Sequence, residues 1–92
     1  MSDEEAFGVA LAPAARRALA TDLPESIATA IVEFITGDLL TRPRVVGKPL
    51  VRPLESVWSA RRGAYRVLYR IDERHRVILV IRIDHRSTAF RI

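Results

Sequence analysis

The stretch Val57-Trp58-Ser59-Ala60-Arg61-Arg62-Gly63-Ala64-Tyr65-Arg66-Val67-Leu68-Tyr69-Arg70-Ile71 decides the fold. It holds two runs rich in aromatic and β-branched residues, interrupted once by Arg62-Gly63, and it reads as a β-hairpin. With Arg62-Gly63 as a two-residue loop, Arg61 pairs with Ala64, Ala60 with Tyr65 and Ser59 with Arg66. Side chains alternate along a strand, so Trp58, Ala60, Tyr65, Val67, Tyr69 and Ile71 share one face, and Val57, Ser59, Arg61, Arg66, Leu68 and Arg70 share the other. The first set is the expected core. The second gathers three guanidiniums, Arg61, Arg66 and Arg70, on an open face. A bound anion such as phosphate would relieve their repulsion; a solvated face with edge-protecting arginines is the alternative.

Downstream, Asp72-Glu73-Arg74-His75 is a polar turn leading to a third strand over Arg76–Ile83. In strict alternation Ile78 and Val80 share a face with Arg76 and Arg82, and with Leu68 they leave apolar surface on the open face for a tail or a partner to cover. Upstream, residues 42–54, RPRVVGKPLVRPL, hold three prolines and one glycine and read as an extended ordered loop. Before it, Pro24 and Glu25 open a helix that places Ile27, Ile31, Phe34 and Ile35 on one face; Gly37 and the TRPR run at 41–44 end it. Pro13 opens a shorter helix through Ala20 that breaks at Leu23-Pro24. Phe7, Val9 and Leu11 alternate as in a half-buried first strand. The expected class is α+β: a strand, a helical hairpin and a three-stranded antiparallel sheet, the helices packed on one sheet face, in a single domain over residues 1–92.

Composition narrows the chemistry. The chain has 92 residues and no cysteine, which excludes disulfides, thiolate nucleophiles and cysteine zinc sites. With two histidines and no carboxylate-rich cluster, neither a metal nor another cofactor is expected. No apolar run approaches the eighteen or so residues of a membrane span, and the start MSDEEAF is acidic where a secretory signal is basic, so a cytoplasmic location without membrane contact is expected. The net charge of +4 hides a division. Through Thr41 there are two basic and seven acidic residues, a net of −5; from Arg42 onward there are 13 basic and four acidic, a net of +9. A polycationic half points to a polyanion or an acidic protein as partner.

Three segments taken in order, Gly47-Lys48-Pro49-Leu50, then Trp58-Ser59-Ala60-Arg61-Arg62-Gly63-Ala64-Tyr65-Arg66-Val67-Leu68-Tyr69, then His85-Arg86-Ser87, resemble the RelE branch of the RelE/ParE toxin superfamily of type II toxin-antitoxin systems. The resemblance implies a ribosome-dependent endoribonuclease that cuts mRNA in the A site. It also implies a cognate RelB-like antitoxin that wraps and neutralises the toxin in a hetero-oligomer. Cleavage of RNA without a metal uses the 2′-hydroxyl as nucleophile, so the protein must align it, take its proton, neutralise the phosphorane and protonate the leaving 5′ oxygen.

By the resemblance, Arg66 matches the family arginine that neutralises the phosphate, Arg61 a second basic position before the hairpin turn, and Arg86 the basic C-terminal segment. Arg70 and Lys48 are further candidates for RNA contact. The family's lysines before the turn are replaced here by Val57 and Ser59, and the aromatic at its C-terminal tyrosine is Phe90, which can stack on a base but carries no proton. His85 is the substitute acid or base, since imidazole titrates near neutrality; a structural hydrogen-bonding role is the alternative. These departures keep two other readings open: a ParE-like gyrase inhibitor without nuclease activity, and a catalytically weakened RelE homologue.

Overall fold

The structure, a computed structural model, describes residues 6–50 and 56–87. Strand β1 (Gly8–Leu11) is followed by helix α1 (Pro13–Arg17), whose end widens into a π-helical turn (Ala18–Asp22). Helix α2 (Glu25–Phe34) widens in the same way over Ile35–Leu39. A short helix α3 (Pro43–Val46) leads to β2 (Gly47–Pro49), then come β3 (Trp58–Arg62), β4 (Tyr65–Asp72) and β5 (Val77–His85). The strands form one sheet in the order β1-β5-β4-β3-β2. β1 runs parallel to β5, and every other pair is antiparallel. The sheet thus has five strands where three were expected. β1 joins its edge through the helical crossover, and part of the proline-rich segment read as loop supplies α3 and β2.

The helical hairpin follows its punctuation. Pro13 occupies the first turn of α1, where its missing N–H costs nothing. Pro24 forces Leu23 into extended backbone (φ −92°, ψ 147°), and the Leu23 amide closes α1 by donating to Ala18 O at 2.9 Å, five residues back. Along α2 the expected apolar stripe points inward: Ile31 and Ile35 are buried, and Ile27 and Phe34 pack beside them. Ala15 and Ala18 of α1 are buried too, their small side chains letting the helix lie close to the sheet. With Leu39 and Leu40 they meet Ala60, Val67, Tyr69, Ile78, Val80 and Ile83 in one core on one face of the sheet.

β1 keeps only part of its expected alternation. Phe7 is buried and Leu11 packs on the core, while Val9 stays exposed. Phe7 is held by its amide, which donates to Leu40 O at 2.9 Å, and by the Arg76 guanidinium 3.9 Å above its ring.

Two registers differ from strict expectation, each for a stated backbone reason. The β3–β4 pairs are Arg62 with Tyr65, Arg61 with Arg66, Ala60 with Val67, Ser59 with Leu68 and Trp58 with Tyr69. The loop is therefore Gly63-Ala64. Gly63 has φ +62° at the first central position, where a tight hairpin turn needs glycine, and Ala64 needs no positive φ at the second. Because the slip moves each partner by two residues, both faces keep their members.

The second difference reverses an assignment. Between Leu68 and Tyr69 the β4–β5 register shifts, from Leu68 opposite Arg82 to Tyr69 opposite Val80. Ile81 is the extra residue of a β-bulge, which breaks the alternation of β5. Ile78 and Val80 are consequently wholly buried under the helices, and the open face does not carry them. Of the expected apolar trio only Leu68 lies on that side, and it is buried as well.

Candidate nucleic-acid interface

On the sheet face away from the helices, Lys48, Ser59, Arg61 and Arg66 line one concavity of about 360 Å³ with Val46, Gly47 and Leu50. Three adjacent strands build it. Lys48 of β2 pairs with Ser59 of β3, and Arg61 of β3 lies directly opposite Arg66 of β4. Like charges opposite each other in a sheet repel, so the concavity is poised to accept an anion, and Arg presents a planar fork matched to phosphate. Arg61 is exposed and Arg66 half-buried. Asp84 stands opposite Arg66 across β4–β5, and Arg82 holds it through two contacts, Nε at 2.9 Å and Nη2 at 2.7 Å. That pairing moderates the positive field beside the arginines.

The floor is set from the covered side. The Tyr69 hydroxyl donates to Pro43 O at 2.6 Å inside the protein, and burial pushes its pKa up to about 12 against the opposing pull of the nearby Arg44 charge. Arg44 itself pairs with Glu73 at 2.6 Å, which ties α3 to the β4–β5 turn. A Cβ at Gly47 would overlap the Tyr69 hydroxyl and lie 3.0 Å from both Tyr69 Cζ and Ser59 O, so only glycine fits there. In the β4–β5 turn, Asp72 accepts from the His75 backbone amide at 3.1 Å and meets its ring at 2.9 Å. These bonds hold its carboxyl below the ordinary range.

The expected site residues divide in space. Arg61, Arg66 and Lys48 are brought together. Arg70 is not: it pairs with Leu79 four residues farther along β4, about 13 Å away, and borders a separate depression with Asp72, Glu73 and Arg74. Arg86 follows β5 and donates its amide to Ala64 O at 2.7 Å, which puts it beside the β3–β4 turn.

His85 lies on the other side of the sheet. It pairs with Tyr65, and the two rings meet edge to face with centroids 5.2 Å apart at the helix-covered rim. The Ser87 amide donates to its Nδ1 at 3.2 Å, and the Ser87 hydroxyl lies 2.9 Å from the same nitrogen. Phe90 lies outside the described residues. Among the described residues no three His, Cys, Asp or Glu side chains group in a way that could hold a metal ion. Sequence reasoning placed Tyr69 on the core face and passed over Gly47 as a packing residue. A glycine beside a lysine in a proline-rich segment was the available signal.

Comparison with known proteins agrees with this fold. Residues 9–90 match the family described as ParE toxin of type II toxin-antitoxin system, parDE. Toxin RelE of Mycobacterium tuberculosis is 48% identical over 92 residues, covering 100% of this chain and 94% of that protein. Toxin RelG of the same organism is 52% identical over 69 residues, covering 75% of this chain and 79% of its own length. Among solved structures, the toxin-antitoxin complex RelBE2 of M. tuberculosis superposes with a TM-score of 0.83 at 49% identity, covering 88% of this chain and 99% of the matched chain. The intact E. coli RelBE toxin-antitoxin complex shares the fold, with a TM-score of 0.72 at 16% identity over 87% of this chain and 96% of that one. The fold is thus shared with solved RelE toxins, and by its family match and its identity to a curated relative this chain belongs to the RelE/ParE superfamily of type II toxin-antitoxin toxins, in its RelE branch.

Proposed function

We propose that this toxin arrests translation by cleaving ribosome-bound mRNA in the A site through metal-free attack of a 2′-hydroxyl on the adjacent phosphate. The observation that carries the reading is the meeting of Arg61, Arg66 and Lys48 in one open concavity. Arg66 and Arg61 grip the scissile phosphate and neutralise the charge that builds as the 2′ oxygen bonds to phosphorus and the 5′ oxygen leaves. Lys48 holds a neighbouring phosphate. The 2′ proton passes to a base and a proton returns to the 5′ oxygen. With His85 across the sheet, the ribosome and the mRNA supply those groups, and a shallow site suffices because the ribosome also orients the strand. A RelB-like antitoxin, bound in a toxin-antitoxin hetero-oligomer, would silence the toxin by covering the cationic face with acidic and apolar groups.

Induction in a bacterial host with mapping of mRNA 5′ ends tests this. In-frame cleavage that vanishes in Arg66→Ala supports it. The position of His85, on the sheet face opposite Arg61 and Arg66, favours one second reading, gyrase inhibition without nuclease chemistry. Growth arrest with intact transcripts and gyrase-linked DNA breaks would establish that reading and sink the first.

A further inference from the structure

We propose that Tyr69 is a positioning residue for the cationic concavity: the bond from its buried hydroxyl to Pro43 O holds β2 in the register that sends Lys48 to the arginine face. This rests on the RNA reading above and deepens it.

β2 is three residues long and forms the edge of the sheet, with the pairs Gly47–Ala60, Lys48–Ser59 and Pro49–Trp58 and one further bond in the same register, from the Leu50 amide to Val57 O at 2.8 Å. So short a ladder specifies register weakly, and a slip of one residue would turn Lys48 from the arginine side to the helix side. The device that forbids the slip lies underneath. Tyr69 is wholly buried, its ring stacked on Trp58 with centroids 6.4 Å apart, and its hydroxyl reaches Pro43 O at 2.6 Å.

That path is open only because the inward position of β2 is a glycine. Any residue with a Cβ there would overlap the hydroxyl. Sliding β2 by one residue in either direction would bring Val46 or Lys48 to that position and drive a side chain into Tyr69. Breaking the bond would also strand a buried donor, an expensive state. Burial raises the phenol pKa to about 12, so the hydroxyl remains a donor throughout the neutral range. The hydroxyl and the glycine together fix which face Lys48 occupies.

The test compares Tyr69→Phe, Lys48→Ala and the double variant with the parent chain, each first shown to melt cooperatively. NMR reads the cross-strand contacts of β2, and the salt dependence of binding to a short single-stranded RNA reads the phosphate contact. A contact to single-stranded RNA contributes about 0.7 to the slope of log affinity against log salt. In Tyr69→Phe, the Lys48–Ser59 contacts are expected to disappear while the Arg61–Arg66 contacts persist. The slope is expected to fall by about 0.7 in Tyr69→Phe, in Lys48→Ala and in the double variant alike.

Persistence of the Lys48–Ser59 contacts in Tyr69→Phe overturns the inference. So does a second drop of about 0.7 when Lys48→Ala is added to Tyr69→Phe. If Lys48→Ala and Arg66→Ala leave RNA binding of the parent unchanged, the RNA reading fails instead, and the NMR contacts alone decide whether Tyr69 holds the register.

Discussion

The two faces of the sheet are made by the same strands under opposite rules. On the covered face, Val67, Tyr69, Ile78, Val80 and Ile83 are buried beneath the helices, and each position is decided by volume. On the open face, Lys48, Arg61 and Arg66 stand together although their charges repel. Packing gives the first arrangement its stability; the second juxtaposes like charges, and an anionic ligand would offset their repulsion. The faces are nevertheless coupled. The Tyr69 hydroxyl and the bulge at Ile81, both products of core packing, set which cations and apolar groups reach the far side.

The contrast can be broken at its strongest point by comparing neighbours on β5. Ile78→Ala should cost about 2–5 kcal/mol in denaturant unfolding, because a filled core position becomes a cavity. Leu79→Ala, one residue on and half-exposed, should cost far less; equal losses would mean that the bulge does not divide the strand as described. On the open face the expectation is inverted. Arg66→Ala should leave the unfolding midpoint nearly unchanged while lowering mRNA cleavage about 10²–10³-fold, the size seen when a group stabilising transition-state charge is removed. Arg70→Ala, remote from the concavity, should lower it much less.

A pH experiment sharpens the link between faces. The Tyr69 pKa is raised from its ordinary value of 10.0 to about 12, so the protonated phenol is favoured by folding. Its stabilising contribution is fully present below pH 10 and is lost as the pH climbs toward 12, by about 2–3 kcal/mol for a two-unit shift. Chemical denaturation across that window, with phenolate absorbance followed in parallel, should show the loss in the parent and not in Tyr69→Phe. The smallest effect is expected at the covered rim. His85→Gln should leave transcript cleavage intact, as measured by 5′-end mapping, and a large fall would place the imidazole in the proton transfers after all.

Much of this was legible in the residues. Pro13, Pro24 and the Ile27–Ile31–Phe34–Ile35 stripe mark the helical hairpin because proline and apolar periodicity act locally. The alternation in VWSARRGAYRVLYRI assigned both faces of β3 and β4 correctly even with the hairpin loop placed one residue early, since partners moved by two. β2 was hidden inside a proline-rich segment because three residues carry no period. The bulge was hidden because Arg76–Ile83 contains no glycine or proline to announce it, and strict alternation therefore sent Ile78 and Val80 to the wrong side.

What the sequence alone determined is the class of fold, the family resemblance and the segregation of charge, −5 through Thr41 and +9 after it. These are properties of composition and short-range pattern. Tertiary structure decided which of the cations meet. Lys48, Arg61 and Arg66 converge, while Arg70 and His85 go elsewhere, because convergence depends on strand register and on one irregularity in β5. Register is set by long-range packing, here by a tyrosine hydroxyl fitted against a glycine 22 residues away in the chain.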